Sequence, residues 1–555
     1  MSQHFLKLRA NIALPGDVSL AERELSNLYE QVVPVENESA LAQQWGIAEK
    51  HFVSHSRPNA FPGFVGTGPK KSVADICRTL ACIQEIWLPR SELDWAPSAI
   101  WSEVDGFACV LPWMAAGELC GLSKVHPPDA TGLGQLSSAL TQGGDLKGLQ
   151  NRGTAAPHLH GLHRYKARFF PRLARILLQG AEGPILDPFV GSGTALIESS
   201  LLGKPSVGVD IDPLSCLISQ AKLDLLHLSP KALEAGITQL GEPDGGSYSL
   251  PPWMARKFER KGELEAQAAH EESIAGWVNA LERVQDPTVK RVLSVCVSDG
   301  INRKFNVRMM GTGVGRFALE MRKTHLDRFI RKSIDAAFRQ VQVFGSLKNA
   351  YGLTPAPAKV LRGDAGSLPF EDNSQGYILT SPPYLPAASG REAYLFAKSI
   401  ALTALGLMSV EEIESGRSKV IGSMRADASE FHQMPQGVLD LVDWLAHDEL
   451  RSIKAQPTLA YYQDLQRALA ESFRVLRPGA KACWVVGKES VFYTFKTRAV
   501  LRRVPCDQLF LSLADQMGFS LFETIDVELQ KRNLNARPRS KDPYFETAIV
   551  LQKPA

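Results

Sequence analysis

The stretch Asp187-Pro188-Phe189-Val190-Gly191-Ser192-Gly193-Thr194 decides how the second half of this chain folds. It closes the apolar strand pattern GPILDPF and opens the helical pattern GTALIESSLLG. Two glycines two positions apart let the backbone turn tightly and approach a bulky ligand closely. A strand-to-helix turn of this kind lies at the carboxyl edge of a parallel sheet, where ligands bind.

The next predicted strand, PSVGVDI, ends in a second acidic group. Asp210 lies 23 residues beyond Asp187, about the spacing at which an acid at the end of the second strand binds a ribose diol. The glycine pattern is not GxGxxG, and no basic residue is placed to bind a pyrophosphate. A nucleoside without phosphates therefore fits this sequence better than a dinucleotide.

A second motif, Thr380-Ser381-Pro382-Pro383-Tyr384, follows the strand pattern GYIL directly. Two consecutive prolines fix two φ angles and remove two backbone donors, while their carbonyls remain acceptors. With the Ser381 hydroxyl and the Tyr384 ring, they offer acceptors for an amino group and a platform for a flat ring. A plain strand-to-loop turn is the alternative, and the first motif at the same sheet edge favours a functional role.

The two motifs together resemble the amino-methyltransferase family, the S-adenosylmethionine enzymes that methylate exocyclic nitrogens of DNA bases. The form SPPY is more similar to the cytosine-N4 branch than to the adenine-N6 branch. The segment 163–171 resembles the part that these enzymes place before the glycine motif, and 394–423 resembles the part that follows SPPY. The resemblance covers about 158–555 and leaves 1–150 unexplained.

This resemblance implies direct methyl transfer without a covalent intermediate. The target amino group would donate to the Ser381 hydroxyl and the Pro382 carbonyl, and the base would stack on Tyr384. The catalytic residues implied are Ser381, Pro382, Pro383 and Tyr384. The residues implied in S-adenosylmethionine binding are Phe169, Asp187, Phe189, Gly191, Gly193, Thr194, Asp210 and Asp364.

Strands alternating with helices after about residue 160 predict an α/β fold with a parallel sheet. By resemblance this is a Rossmann-like class I methyltransferase fold, a mostly parallel seven-stranded sheet with a C-terminal antiparallel hairpin. In the N-terminal region we expect a helix behind Asp17 or Ser19 as N-cap and a second helix over 72–88. The predicted domains are an N-terminal α+β accessory domain at 1–120, a linker at 121–157, and a methyltransferase domain at 158–555 with helical insertions at about 225–355 and 385–457.

Composition limits the class of protein. Of 555 residues, 44% are hydrophobic and 22% charged, which predicts a globular chain rather than a disordered or fibrous one. The sequence has neither an apolar run long enough for a membrane span nor a signal-peptide pattern. Eight cysteines without a CxxC pair favour reduced thiols, and we therefore expect a cytoplasmic protein without a metal site.

Charge is concentrated locally, although the whole chain has a net charge of only +3. Between 300 and 350, eleven Lys or Arg residues stand against three acids, a local net charge of +8. Candidates for binding nucleic-acid phosphates are Arg322, Lys323, Arg331 and Lys332. The alternative is a solvated helix face. The second insertion is the other candidate for reading a DNA sequence.

Two other functions remain open from the sequence. Similarity to tRNA guanine-N2 methyltransferases would make RNA the partner, although those usually carry an acid where Ser381 stands. A non-catalytic nucleic-acid-binding module is the other alternative. If DNA is the substrate, a restriction endonuclease is a candidate partner.

Four minor patterns favour structural roles. The segment 63–72 looks like a phosphate loop but has Pro69 in place of the lysine, and we interpret it as a basic loop that caps a helix. The other three patterns are the histidines His158, His160 and His163, the thiol Cys506, and the glycine-rich loop 311–315.

Overall fold

The computed structural model describes most of the chain. The described residues are 2–9, 12, 15–49, 62–93, 101–122, 158–165, 169–309, 317–385, 393–426, 428, 433–494, 497, 499–529 and 544–555. The predicted linker at 121–157 lies outside them, apart from its first two residues, and so does the glycine-rich loop 311–315.

The strands are numbered in chain order. They are β1 (Gln3–Leu8), β2 (Tyr29–Val35), β3 (Gly63–Pro69), β4 (Ile83–Pro89), β5 (Trp101–Val104), β6 (Phe107–Val110), β7 (Ile185–Asp187), β8 (Ser206–Asp210), β9 (Phe305–Met309), β10 (Phe317–Met321), β11 (Ala358–Arg362), β12 (Gln375–Thr380), β13 (Leu476–Gly487), β14 (Glu489–Tyr493), β15 (Val500–Pro505), β16 (Ser520–Leu529) and β17 (Tyr544–Gln552).

The α-helices are numbered in the same way. They are α1 (Pro15–Ser26), α2 (Glu38–Trp45), α3 (Val73–Thr79), α4 (Trp113–Leu122), α5 (Pro171–Leu178), α6 (Thr194–Leu201), α7 (Pro213–Asp224), α8 (Pro230–Leu240), α9 (Pro252–Glu259), α10 (Leu264–Glu282), α11 (Pro287–Lys304), α12 (Leu326–Tyr351), α13 (Ala393–Ala404), α14 (Val410–Gly416), α15 (Gln436–Ala446), α16 (Ala455–Val475) and α17 (Cys506–Gln516). Among these described helices, none combines the length and apolar character needed to cross a membrane.

A seven-stranded sheet organises the C-terminal part of the chain, in the order β11-β8-β7-β12-β13-β17-β16. The first five strands are parallel, and β17 and β16 are antiparallel to their neighbours. Parallel strands end at one edge, so the carboxyl ends of β7, β8 and β12 come together there. The α/β alternation read from the sequence is confirmed, and it produces a Rossmann-like sheet.

Helices cover both faces of this sheet. On one face, α5, α6 and α7 share an apolar core with α10, α11 and α12. On the other face, α15, α16 and α17 pack over β12 and β13. The first insertion is mainly helical, as expected, and also contains the antiparallel β9–β10 hairpin. The second insertion contributes α13, α14 and α15.

The N-terminal region forms a separate antiparallel sheet in the order β2-β3-β1-β4-β6-β5. Its core is continuous with the core of the larger sheet. At the edge of the larger sheet, Arg23 of α1 binds Glu523 of β16 through two hydrogen bonds of 2.5 and 2.7 Å. Helix α1 therefore packs over the antiparallel end of the larger sheet.

A fully buried ionic network joins the two regions. Arg175 of α5 donates to Glu198 of α6 at 2.8 Å, and His160 contacts the other Glu198 oxygen at 2.7 Å. Arg175 also donates to the Thr79 carbonyl at the end of α3. Helix α6 begins at the glycine loop, so this network ties the N-terminal region to that loop.

Two sequence expectations for the N-terminal region are wrong. The helix predicted over 72–88 ends at Thr79, and strand β4 follows it. That strand is buried on both faces, Gln84 and Glu85 included, and its apolar residues Ile83, Ile86 and Trp87 fall at helical spacing, so the sequence pattern favours a helix. Helix α1 begins at Pro15, not behind Asp17 or Ser19, so Asp17 lies in its first turn. The lookalike at 63–72 is strand β3 followed by Ser72, which caps α3.

Substitution of the buried arginine tests this junction. We expect Arg175→Met to lower the free energy of unfolding by about 3–5 kcal/mol, because it leaves the Glu198 carboxylate buried without its guanidinium partner. The matched control is Arg23→Met at the half-exposed pair with Glu523, expected to cost about 1 kcal/mol or less. Urea denaturation followed by tryptophan fluorescence measures both, and equal losses would contradict the assignment of the network as the main junction.

Candidate active site

A cavity of about 1000 Å³ opens at the carboxyl edge of the larger sheet. Both sequence motifs line it, through residues 187–192 and 381–384. Other walls come from the ends of β8 and β11, the start of α7 and Glu546 of β17. The segment before α5, α11 and β9 of the first insertion, and α13 and α14 of the second also contribute. The two motifs therefore share one crevice, and its size suits a ligand of several rings.

Asp187 connects the two motifs directly. Its Oδ1 accepts the Thr380 hydroxyl at 2.6 Å and the Phe189 backbone N–H at 3.0 Å. Thr380 is the last residue of β12 and precedes Ser381, while Phe189 belongs to the glycine loop. One buried carboxyl group thus fixes the start of both loops.

The glycine loop is held by close packing and by backbone contacts. Gly191 and Gly193 have φ values of +51° and +79°, which residues with a side chain rarely adopt. A Cβ at Gly193 would lie 3.0 Å from the Cβ of Ser219. Ser219 donates to the Gly191 carbonyl at 2.9 Å, and Lys222 donates to the Ser192 carbonyl at 3.0 Å. The sequence therefore requires glycine at both positions for conformational reasons.

Asp210 organises this loop from the end of β8. One carboxyl oxygen accepts the Gly191 N–H at 2.8 Å, and the other accepts the Asp212 N–H at 2.9 Å. Burial, followed by repulsion from Asp212, raises the pKa of Asp210 to about 6. Each oxygen keeps a second lone pair for a ligand hydroxyl.

Lys398 is a site residue that the sequence analysis missed. Its Nζ lies 2.5 Å from Asp212 and 3.3 Å from Ser215, and 4.6 Å from the centre of the Tyr165 ring. Burial opposes ionisation of Asp212, but the charge and hydrogen bond of Lys398, together with the hydrogen bonds from Ser215 and the Leu214 N–H, outweigh it and lower the pKa of Asp212. A lone lysine in the apolar helix α13 was the available signal, because such a group needs a buried partner.

The segment before α5 covers the glycine loop. The Arg164 N–H donates to Asp299 of α11 at 2.8 Å, which anchors this segment to the first insertion. The Tyr165 hydroxyl bonds Ser215 at 3.0 Å and lies beside Gly191. Phe169 lines the cavity, and its carbonyl accepts from Thr194 at 3.4 Å.

The SPPY segment presents fewer free acceptors than the sequence indicated. The Pro383 carbonyl accepts the Tyr461 hydroxyl at 3.0 Å, so it is occupied. The Pro382 carbonyl has no hydrogen-bond donor among the described residues. The Tyr384 hydroxyl donates to Glu546 of β17 at 2.8 Å and lies 3.3 Å from Ser381. Glu546 was also missed, and an acid within the apolar strand β17 was its only signal.

Most of the predicted site residues lie together in this cavity, including Asp364 after β11. Gly193 lies behind the loop against Ser219 and does not line the cavity. The four basic candidates, Arg322, Lys323, Arg331 and Lys332, are exposed outside it. Of these, Arg331 pairs with Glu242 and lies over the Trp277 ring at 5.3 Å.

The minor patterns lie apart from the cavity or have ordinary partners. His160 belongs to the buried ionic network, and His163 bonds Ser298 at 3.1 Å. Of His158 only the backbone is described. Cys506 begins α17 and is not among the residues that line the cavity.

No protein-family model matches the chain. The type II methyltransferase M.MjaII of Methanocaldococcus jannaschii is 44% identical over 69 residues, which cover 12% of this chain and 13% of that protein. The type II methyltransferase M.MvaI of Kocuria varians is 23% identical over 389 residues, covering 64% of this chain and 82% of that protein. The first alignment thus spans far less than two thirds of its relative.

Solved structures give a weaker likeness. A SAM-dependent methyltransferase of Methanosarcina mazei covers 67% of this chain and 93% of its own, with 11% sequence identity and a TM-score of 0.24. A score this low does not establish a shared fold. The relatives found by sequence are nonetheless methyltransferases, the class that the two motifs resemble.

The linking carboxyl group predicts a pH dependence. Burial raises the pKa of Asp187 to about 7, although the Thr380 and Phe189 hydrogen bonds oppose this shift. An aspartate in the unfolded chain has a pKa of ~4. The folded protein therefore binds this proton more tightly, and this contribution to the free energy of unfolding is lost as the pH rises toward about 7. Asp187→Asn cannot ionise, and its amide oxygen can accept both bonds.

We therefore expect Asp187→Asn to become more stable relative to the wild type as the pH rises from about 5 to about 8. Urea denaturation at the two pH values measures the unfolding free energy of both proteins. The effect of other titrating groups is common to both and cancels in the difference between them. A difference in unfolding free energy that does not change with pH would contradict a protonated Asp187.

Proposed function

We propose that this protein transfers a methyl group from S-adenosylmethionine to an exocyclic amino group of a DNA base, with cytosine N4 as the favoured position. The observation that carries this proposal is the shared cavity at 187–192 and 381–384. A glycine loop for a nucleoside and an SPPY segment for an amino group need this proximity for direct transfer. The sequence relatives named type II methyltransferases support the same chemistry.

The residues on the glycine-loop side suit S-adenosylmethionine. Asp210 and Asp364 offer carboxylate acceptors at the ends of β8 and β11, one for ribose hydroxyls and one for the adenine amino group. The aromatic rings of Phe169 and Phe189 line the same side of the cavity. Gly191 leaves room beside the loop for the amino-acid end. When bound, this cofactor supplies an electrophilic methyl group on a sulfonium sulfur.

The SPPY side would orient the attacking nitrogen. An exocyclic amine has its lone pair delocalised into the ring and is a poor nucleophile. Hydrogen bonds from its N–H groups to the Ser381 hydroxyl and the Pro382 carbonyl would favour a more tetrahedral nitrogen and aim the lone pair at the cofactor side. This is catalysis by orientation and electrostatics, without a covalent intermediate.

Tyr384 is prepared to stack against a flat ring. Its hydroxyl is held by Glu546 at 2.8 Å, which restricts rotation of the aromatic ring. Stacking of a base on an aromatic ring is worth about 1–3 kcal/mol. In duplex DNA the target base must first be flipped out of the helix, and an aromatic face of this kind compensates part of that cost.

The first insertion supports a DNA-binding role for the basic residues. Phe305 and Val307 of β9 line the cavity, and β9 pairs with β10, which leads into Arg322 and Lys323. These two residues and Lys332 are exposed. Arg331 is less available, because it already pairs with Glu242.

Substitution of the proposed amine acceptor tests the base side. We expect Ser381→Ala to lower kcat for methyl transfer by about tenfold or more, because one hydrogen bond to the target amine is lost. Affinity for S-adenosylmethionine, measured by calorimetry, stays at the wild-type level. The matched control is Ser512→Ala, an exposed serine of α17 that does not line the cavity. An unchanged rate for Ser381→Ala would remove the base-site assignment.

A second experiment tests the cofactor side. We expect Asp210→Asn and Asp210→Ala to weaken S-adenosylmethionine binding, the alanine variant more strongly because it also frees the Gly191 N–H. Calorimetry measures this affinity, and a DNA filter-binding assay measures DNA affinity, which stays close to the wild-type value. Equal losses of both affinities would contradict the assignment of Asp210 to the cofactor.

Charge reversal tests the DNA surface. We expect the triple variant Arg322→Glu, Lys323→Glu and Lys332→Glu to bind DNA more weakly. The slope of the logarithm of the binding constant against the logarithm of the salt concentration becomes shallower by about 0.9 for each lost phosphate contact. Lys231→Glu with Lys261→Glu, two exposed lysines elsewhere in the same insertion, is the control. If both variants weaken DNA binding equally, the basic residues form a solvated helix face and not a DNA-binding surface.

A further inference from the structure

Glu546 is a carboxyl group of the cavity that the proposed chemistry does not yet use. It lies on β17 opposite Gly487 of β13 and lines the same cavity as Ser381 and Tyr384. Its Oε1 accepts the Tyr384 hydroxyl at 2.8 Å. Within the described part of the chain, Oε2 has no hydrogen-bond partner. One oxygen is therefore fixed, and the other is available to a ligand.

Ser381 and Glu546 are close enough to contact one base together. The Ser381 Oγ lies 3.3 Å from the Tyr384 hydroxyl, which in turn lies 2.8 Å from Glu546. Both groups touch the same oxygen atom, so they are at most two hydrogen-bond lengths apart. In a nucleobase, the amino nitrogen and the adjoining ring nitrogen are attached to one carbon. This separation allows a base whose amino group reaches Ser381 to place its adjoining ring nitrogen toward Glu546.

We propose that Glu546 recognises the ring nitrogen beside the target amino group, with its Oε2 donating a hydrogen bond as a neutral carboxylic acid. This inference rests on the proposed function, since it requires a base in the cavity. The recognised atom is N3 of cytosine or N1 of adenine, and both are acceptors. An ionised carboxylate would only accept hydrogen bonds and would repel either nitrogen.

The surroundings of Glu546 favour its neutral form. Burial raises the pKa of Glu546, and the hydrogen bond from Tyr384 only partly opposes this shift. Charged groups on the elements packed around Glu546 include Lys488, which directly follows β13, Asp526 and Glu528 of β16, and Asp507 of α17. Lys488 and Asp526 bond each other, so the lysine charge is already matched. A carboxylic acid kept neutral in an apolar site can serve as a hydrogen-bond donor at neutral pH.

The test combines substitution of Glu546 with replacement of the ring nitrogen in the target base. The target base is first mapped in DNA methylated by the wild-type protein. Synthetic duplexes then carry either that base or its deaza analogue, in which the ring nitrogen is replaced by C–H (3-deazacytosine or 1-deazaadenine). We expect the wild-type rate to fall about tenfold on the analogue. Glu546→Ala loses about tenfold on the natural base and shows no further loss on the analogue.

A conservative variant separates protonation from packing. Glu546→Gln keeps an N–H donor and cannot ionise. We expect it to retain the preference for the natural base and to lose the decline in rate that the wild type shows as the pH rises through the pKa of Glu546. Asp187 and Asp210 also titrate in this cavity. The pH–rate profile of Glu546→Gln is therefore compared directly with that of the wild type. The matched control is Glu371→Gln, which changes an exposed glutamate before β12 in the same way.

The outcomes are distinct. Equal losses of the wild type and Glu546→Ala on the analogue would overturn the inference, and so would a Glu546-dependent rate that rises with pH. If the alanine variant does not fold, the glutamine variant and its pH profile still decide the question. A wild-type protein that methylates no DNA base would contradict the proposed function itself, before any variant is made.

Discussion

The hydrogen bonds that Asp187 accepts from Thr380 and from the Phe189 N–H hold the glycine loop and the SPPY loop at a common origin. Each loop leaves a different parallel strand, and parallel strands alone fix only the edge at which loops emerge. The buried carboxyl group adds a specific distance between them. Burial raises the pKa of Asp187 to about 7, so its carboxyl group is mainly neutral below that pH, and a neutral carboxyl group is much easier to bury than a carboxylate.

Charge is distributed unevenly across the cavity. On the glycine-loop side, Asp212 and Lys398 form an ion pair that anchors the second insertion beside the end of β8. On the SPPY side, burial raises the pKa of Glu546, and no cation pairs with it among the described residues. A charged half suits a ligand with a zwitterionic end, and a less charged half suits a flat heterocycle.

The N-terminal region serves the larger sheet as a packing layer. Helix α1 packs on β16 through Arg23 and Glu523, where the antiparallel hairpin lies. The buried Arg175–Glu198 pair links the same region to the helix that begins at the glycine loop. Breaking such a pair is costly because it leaves one charge buried alone. The geometry of the cavity therefore depends on a region whose described residues do not line it.

Local patterns in the sequence were sufficient for several parts of the fold. The prolines at 382 and 383 restrict their own backbone, and the glycines at 191 and 193 allow the positive φ angles of a tight turn, so both loops and the strands before them were predicted. Strand β4 was misread as helix, because burial on both faces removes the alternation that identifies strands, and its apolar residues Ile83, Ile86 and Trp87 fall at helical spacing.

The sequence by itself determined the α/β alternation and the two loops, since these follow from backbone preferences of adjacent residues, while the chemistry was implied by the resemblance of the two motifs to a known family. Only the tertiary structure decided that Lys398 pairs with Asp212 and that Glu546 holds Tyr384, across 186 and 162 residues of chain respectively. Such contacts depend on how insertions and strands pack, and no local pattern encodes a partner at that distance. The physical reason is that a buried polar group must find a partner, but packing alone determines which one.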